Sequence, residues 1–108
     1  MIIGVPGSKI KDWLKDKDYL IATNEGEAVG IAAGHYLATK EIPTVFMSSD
    51  GFANALNALT TLVIPYEIPI NWVIGLRRKL PQHEIMGKTI KKIINLYDQR
   101  KGNFTFIE

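Results

Sequence analysis

Asn24-Glu25-Gly26-Glu27-Ala28-Val29-Gly30-Ile31-Ala32-Ala33-Gly34-His35 reads as the opening of a helix that carries glycine at every fourth position. Asn24 is a favourable N-cap residue, and Glu27 stands three positions on, the spacing at which two side chains reciprocally satisfy the free N–H groups of a first turn. Just before it, Tyr19 to Thr23 is a short apolar run, so the segment predicts a strand, a capped turn and a helix reaching about Thr39. Gly26, Gly30 and Gly34 fall on one helical face, and each interior glycine costs roughly 1 kcal/mol relative to alanine. The stripe therefore predicts close backbone approach, to a sheet, a neighbouring helix or a ligand, as the offset for about 2–3 kcal/mol.

Working outward, the same strand-then-helix step recurs. Met1 to Val5 reads as a buried strand that ends in Pro6-Gly7-Ser8, with Ser8 capping a helix over Lys9 to Lys15. Thr44 to Ser48 is a strand after Pro43, and the Ser48-Ser49-Asp50-Gly51 turn leads into a helix with Leu56, Leu59 and Leu62 on its apolar side, ended by Pro65. Ile70 to Gly75 is an apolar strand buried on both faces, Gln82 to Gln99 contains the last helix and Phe104 to Ile107 is the last strand. This alternation predicts one domain over residues 1–108, a three-layer α/β/α fold on a mostly parallel sheet with right-handed crossovers. Ligands of such sheets bind at the carboxyl ends of the strands. Pro6-Gly7-Ser8, Asn24-Glu25, Ser48 to Gly51 and Leu76-Arg77-Arg78 all fall at those ends.

Bulk properties narrow the function. The 108 residues carry a formal net charge of +2, too small to imply nucleic acid, and Lys88, Lys91, Lys92, Arg100 and Lys101 read, at helical spacing beside Ile90, Ile93, Ile94 and Tyr97, as a solvated face. The absence of cysteine removes disulfides and thiolate chemistry, and His35 and His83 are too far apart in sequence for a local zinc motif, so no metal site is expected from the chain itself. Met1 to Val5 is too short for a signal core, which makes the cytoplasm the default compartment. Phosphate-loop, dinucleotide and nucleophile-elbow motifs are absent.

Glu25 and Glu27 lie two positions apart and point to different sides of the helix, so Glu27 can reach back to the cap while Glu25 faces the strand rim. On residue type alone, Glu25 is either a carboxylate that favours the helix dipole or a functional acid. Asp50-Gly51 is equally a plain turn or part of a ligand rim, and His83 either a surface histidine or a substrate contact.

From Ile2 to Gly87 the chain resembles the pyrimidine-binding domain of thiamine-diphosphate decarboxylases, the likeness being to the sulfopyruvate and phosphonopyruvate enzymes. The residues that carry it are Gly4-Val5-Pro6-Gly7-Ser8, Asn24-Glu25-Gly26 with its Ala-Gly helix, Ile42 to Met47, Gly51, Asn54, Asn57, Pro65, Pro81-Gln82-His83 and Met86-Gly87. The resemblance implies that Glu25 hydrogen-bonds a ring nitrogen of the aminopyrimidine and so activates the cofactor for attack on a 2-oxo acid. It further implies cofactor contacts from Pro6, Gly7, Ser8, Gly51 and Asn54, and substrate contacts from Ser8, Asp50 and His83.

In such enzymes the diphosphate and Mg2+ are held by a separate domain with a Gly-Asp-Gly motif, so a partner subunit and a hetero-oligomer are implied. The chain departs from the pattern in three places. Gly7 stands where phosphonopyruvate enzymes carry Asp, Ser48 to Asn54 replaces a Gln-Asn-Ser-Gly-Leu-Gly-Asn turn, and the domain is shorter, lacking an N-terminal helix and skipping a β-α unit after Gly87. Three readings follow: a decarboxylase subunit, a truncated non-catalytic paralogue or binding module that keeps the fold, or a flavodoxin-like domain for another small ligand.

Overall fold

The computed structural model describes residues 1–97 and 102–108. Five parallel strands, β1 (Ile2–Gly4), β2 (Leu20–Ile21), β3 (Thr44–Ser48), β4 (Ile70–Gly75) and β5 (Gly102–Ile107), form one sheet in the order β2-β1-β3-β4-β5. The connecting helices are α1 (Lys11–Leu14), α2 (Glu25–Thr39), α3 (Phe52–Ala58) and α4 (Pro81–Tyr97). The three-layer reading holds, with unequal layers. Side chains alternate across each strand, so Ile3, Val45, Met47, Trp72 and Ile74 join the main core with buried residues of α2, α3 and α4, such as Val29, Ala55 and Ile90. Phe46 and Val73 point the other way, onto Leu14 of α1 and Ile10 just before it. Trp72 anchors the main core, stacked on Phe104 at 5.2 Å between ring centres and meeting Phe52 edge-on at 6.3 Å.

Local chemistry explains most element boundaries. Asn24 caps α2 by accepting from Glu27 N–H at 2.9 Å, while the Glu27 carboxylate accepts from Thr23 N–H at 2.8 Å, one residue earlier than a strict capping box. The α2 helix ends at Lys40, in left-handed backbone at φ 64°. The expected Ser8 cap is not made: Gly7 is the cap residue, and the chain enters through a 3-10 turn, Ser8–Ile10, closed by Ile10 N–H on Gly7 C=O at 3.3 Å. The backbone thus satisfies itself and leaves the exposed Ser8 hydroxyl free of that duty.

The third helix also differs from a plain apolar stripe. After Ala58 it widens into a π turn, Leu59–Val63, with Ile64 N–H bonded to Leu59 C=O at 2.9 Å. Thr60 and Thr61 hydroxyls donate to the carbonyls of Leu56 and Asn57 at 2.9 and 2.6 Å, taking up oxygens that the wider turn releases. The predicted second strand shrinks to two residues at the sheet edge, where Leu20 and Ile21 are exposed. The expected helix end at Gln99, and Arg100 and Lys101 of the expected solvated face, lie outside the described residues.

This topology positions the site. The β1 crossover runs over α1 to the β2 side, and the β3 crossover runs over α3 to β4 on the opposite face. The loops after β1 and β3 therefore diverge at adjacent strand ends, the crevice in which open α/β sheets bind ligands. Gly7 and Ser48 face each other across it: a methyl group added at Gly7 would lie 3.4 Å from Ser48 Cβ.

Candidate functional site

Glu25 opens α2 and is only 8% exposed, the one buried acidic side chain among the described residues. Its Oε1 accepts a hydrogen bond from Asn54 Nδ2 on α3 at 2.9 Å, and no ion pair or other hydrogen bond to the carboxylate is present among the described residues. Two glycines allow this placement. A Cβ on Gly26 would lie 2.9 Å from Asn54 C=O, so the absence of one lets α2 and α3 meet backbone to backbone. A Cβ on Gly51 would fall inside the Glu25 carboxylate itself. The first turn of α2 supplies a favourable dipole for the charge. A carboxylate with one oxygen held and the other unpartnered can take a hydrogen bond from a ligand ring, or share a proton with it.

A second cluster lies on the same rim. Asp50 Oδ2 is 2.6 Å from His83 Nδ1 on α4 and 3.9 Å from an Arg77 guanidinium nitrogen, and Asp50 Oδ1 is buried with no hydrogen-bond partner. Ser49, fully buried, accepts from Arg77 N–H through Oγ at 3.0 Å, tying the loop after β3 to the loop after β4. Beside this cluster is a cavity of about 370 Å³ lined by Ser8, Lys9, Arg77, Arg78, Lys79 and His83, together with Leu76, Leu80 and Glu108. Its side chains are predominantly cationic. Glu108 opposes them, and its carboxylate accepts from Arg78 at 2.9 Å.

The residues expected from the sequence thus divide into three groups. Glu25, Gly51 and Asn54 are in mutual contact. Asp50 and His83 pair, and His83 shares the cationic cavity with Ser8. Pro6, Gly7 and Ser8 line a shallower depression of about 290 Å³ with Lys11, Leu14 and Tyr19, so Ser8 borders both cavities. Sequence reading put Ser49 and Arg77 at the strand ends but gave neither a role; their link carries no spacing signal, because it joins two loops far apart in the chain.

The glycine stripe is corrected in part. Gly26 makes its close approach, whereas a Cβ on Gly30 or Gly34 would meet nothing within 4 Å. Among the described residues no group of three metal-ligating side chains converges, and no helix is long and apolar enough to cross a membrane.

No family model matches the chain. It is similar to the sulfopyruvate decarboxylase subunit alpha of Methanocaldococcus jannaschii, 34% identical over 105 residues, covering 88% of this chain and 62% of that protein. The Methanococcus maripaludis subunit alpha is 30% identical over 103 residues, covering 86% of this chain and 61% of the relative. Phosphonopyruvate decarboxylase of Streptomyces viridochromogenes is 33% identical over 85 residues, which cover 74% of this chain and 21% of that enzyme. The chain spans about three fifths of the length of the α subunits it matches. With this all-parallel sheet beneath a shared run of sequence, the chain is a homologue of the sulfopyruvate decarboxylase α subunits and phosphonopyruvate decarboxylases.

Proposed function

We propose that this chain is a subunit of a thiamine-diphosphate-dependent 2-oxo acid decarboxylase, a carboxy-lyase of the sulfopyruvate or phosphonopyruvate type, in which Glu25 activates the cofactor aminopyrimidine. The observation that carries the reading is the buried Glu25 carboxylate, held through Oε1 by Asn54 and spared a steric clash by Gly51. These residues suit a flat, nitrogen-bearing ring. The carboxylate offers Oε2 to a ring nitrogen, Gly51 gives the carboxylate the room it occupies, and Asn54 keeps the acid from rotating away. When bound, thiamine diphosphate supplies the electron sink for loss of carbon dioxide.

The chain's own part is to bind, orient and hold protons. Pro6, Gly7 and Ser8 border the crevice from the β1 side, and Gly51 and Asn54 from the β3 side. The cavity beside them, with Lys9, Arg77, Arg78 and His83, suits a small substrate bearing acid groups, and Ser8, Asp50 and His83 are its proposed substrate contacts. The relatives' designation as alpha subunits supports a second subunit, proposed to hold the diphosphate and Mg2+ through a Gly-Asp-Gly motif in a cytoplasmic hetero-oligomer.

The test is decarboxylation of sulfopyruvate and phosphonopyruvate by the chain reconstituted with such a subunit, thiamine diphosphate and Mg2+. Glu25→Gln keeps the shape and the Asn54 contact but cannot exchange a carboxyl proton, and is expected to lower kcat on the order of 10²-fold or more. Full turnover by Glu25→Gln refutes the role of Glu25. No turnover by the wild-type complex refutes the decarboxylase reading in favour of a binding module.

A further inference from the structure

We infer that Asp50 is a positioning residue for His83, fixing which ring nitrogen carries the proton beside the cationic cavity; the inference rests on the decarboxylase reading for the identity of that cavity's ligand. His83 lines the cavity, whereas Asp50 is absent from its wall and lies behind the ring. Asp50 Oδ2 lies 2.6 Å from Nδ1, a buried atom that makes no aligned hydrogen bond in this structure, and the His83 side chain keeps 14% exposure. Two lone pairs cannot face each other at that separation and a carboxylate only accepts, so we place a proton between them, on Nδ1. The neutral ring then presents the lone pair of Nε2 to the cavity, and the protonated ring presents Nε2–H. Without an acceptor at Nδ1 a neutral imidazole favours the opposite tautomer, with its proton on Nε2. Asp50 therefore decides what a ligand meets.

The charges around this pair are consistent with such a device. From the loop after β4 come Arg77, 3.9 Å from Asp50, then Arg78, engaged by Glu108, and Lys79; Lys9 approaches from the loop after β1. Glu84, on the same helix as His83, is exposed and engaged by Lys88. Asp50 is thus the carboxylate directly on His83, in surroundings that otherwise attract anions. Its Oδ1 is buried and without a hydrogen-bond partner, so the carboxylate is not held there by a full set of its own hydrogen bonds. Asp50 also falls in the Ser48 to Asn54 turn, one of the places where this chain departs from the pattern it otherwise resembles.

The experiment has two readouts. In the full chain at pH 8.5, ¹⁵N chemical shifts of the His83 ring are expected to report Nδ1–H in wild type, Nδ1–H retained in Asp50→Asn, whose amide oxygen still accepts, and a change to Nε2–H in Asp50→Ala. An unchanged tautomer in Asp50→Ala overturns the inference. In the reconstituted complex, Asp50→Ala is expected to lower kcat about 10–100-fold, with Asp50→Asn recovering most of it, and to cost nothing further in a His83→Ala background. Equal losses with and without His83, or absorption of the effect by Arg77→Gln instead, overturn it. Failure of the decarboxylase reading shows separately, as absent wild-type turnover, and the tautomer then judges the Asp50–His83 pairing.

Discussion

Replacing Gly51 by alanine probes the packing on which the candidate site depends. Gly51 has φ −82° and ψ −10°, a conformation alanine adopts freely, so the backbone carries no penalty. Loss of glycine freedom in the unfolded chain favours the variant by about 0.4–1 kcal/mol. The added methyl, however, lies 2.7 Å from Glu25 Cγ and closer still to the carboxylate. Either Glu25 leaves its position, giving up the Asn54 hydrogen bond, or the junction of α2 and α3 spreads, at an overpacking cost of about 1–3 kcal/mol. The difference is a net loss of about 1–2 kcal/mol, which in urea titration lowers the midpoint by roughly 0.5–1.5 M at an ordinary slope. In a Glu25→Ala background the clash is gone, and Gly51→Ala becomes neutral or stabilising. An unchanged midpoint in the wild-type background, or the same loss in both backgrounds, refutes the placement of Glu25 against Gly51.

Gly30→Ala and Gly34→Ala, where an added Cβ meets nothing within 4 Å, are expected to stabilise the isolated chain by up to about 1 kcal/mol each, raising Tm by about 4–8 °C per substitution in calorimetry. A drop in Tm shows instead that this face is packed. Asn24→Ala removes the acceptor for Glu27 N–H and is expected to cost about 1 kcal/mol, read by thermal unfolding followed by circular dichroism. The hydrogen bond and charge of Lys88 hold the Glu84 carboxyl below its ordinary 4.5, with a small opposing effect of desolvation. Because the folded-state value is the lower one, the contribution is present above 4.5 and is lost as pH falls through that lower value. Lys88→Met is expected to return Glu84 to the ordinary range in an NMR titration of the carboxyl; an unmoved titration refutes the pairing.

Much of this fold is written in interactions that span a few residues. The apolar runs of Ile2–Gly4, Thr44–Ser48 and Ile70–Gly75 are strands because their side chains must be buried on both faces, and the Asn24–Glu27 cap starts α2 with groups three residues apart. Alternating strands and helices then leave few topologies, so a parallel sheet with its loops on one rim follows. Glu27 at the cap set Glu25 apart for the same local reason, but on residue type alone Glu25 stayed either a carboxylate favouring the helix dipole or a functional acid, and only the family resemblance singled it out. Where reading failed, a local rule met a competing contact. Ser8 was expected to cap, and the backbone did so; a uniform helix was expected across Leu56 to Leu62, and two threonines favoured a π turn.

The sequence by itself determined the order and type of the elements, the parallel sheet and the capped helix that presents Glu25. Packing alone decided that Asn54 and Gly51 fix that carboxylate, that Asp50 pairs with His83, that Ser49 ties two loops together and that Gly30 and Gly34 face open space. The physical reason is range: capping, periodicity and turn chemistry act over about four residues along the chain, whereas these contacts join residues brought together only when helices cross a shared sheet.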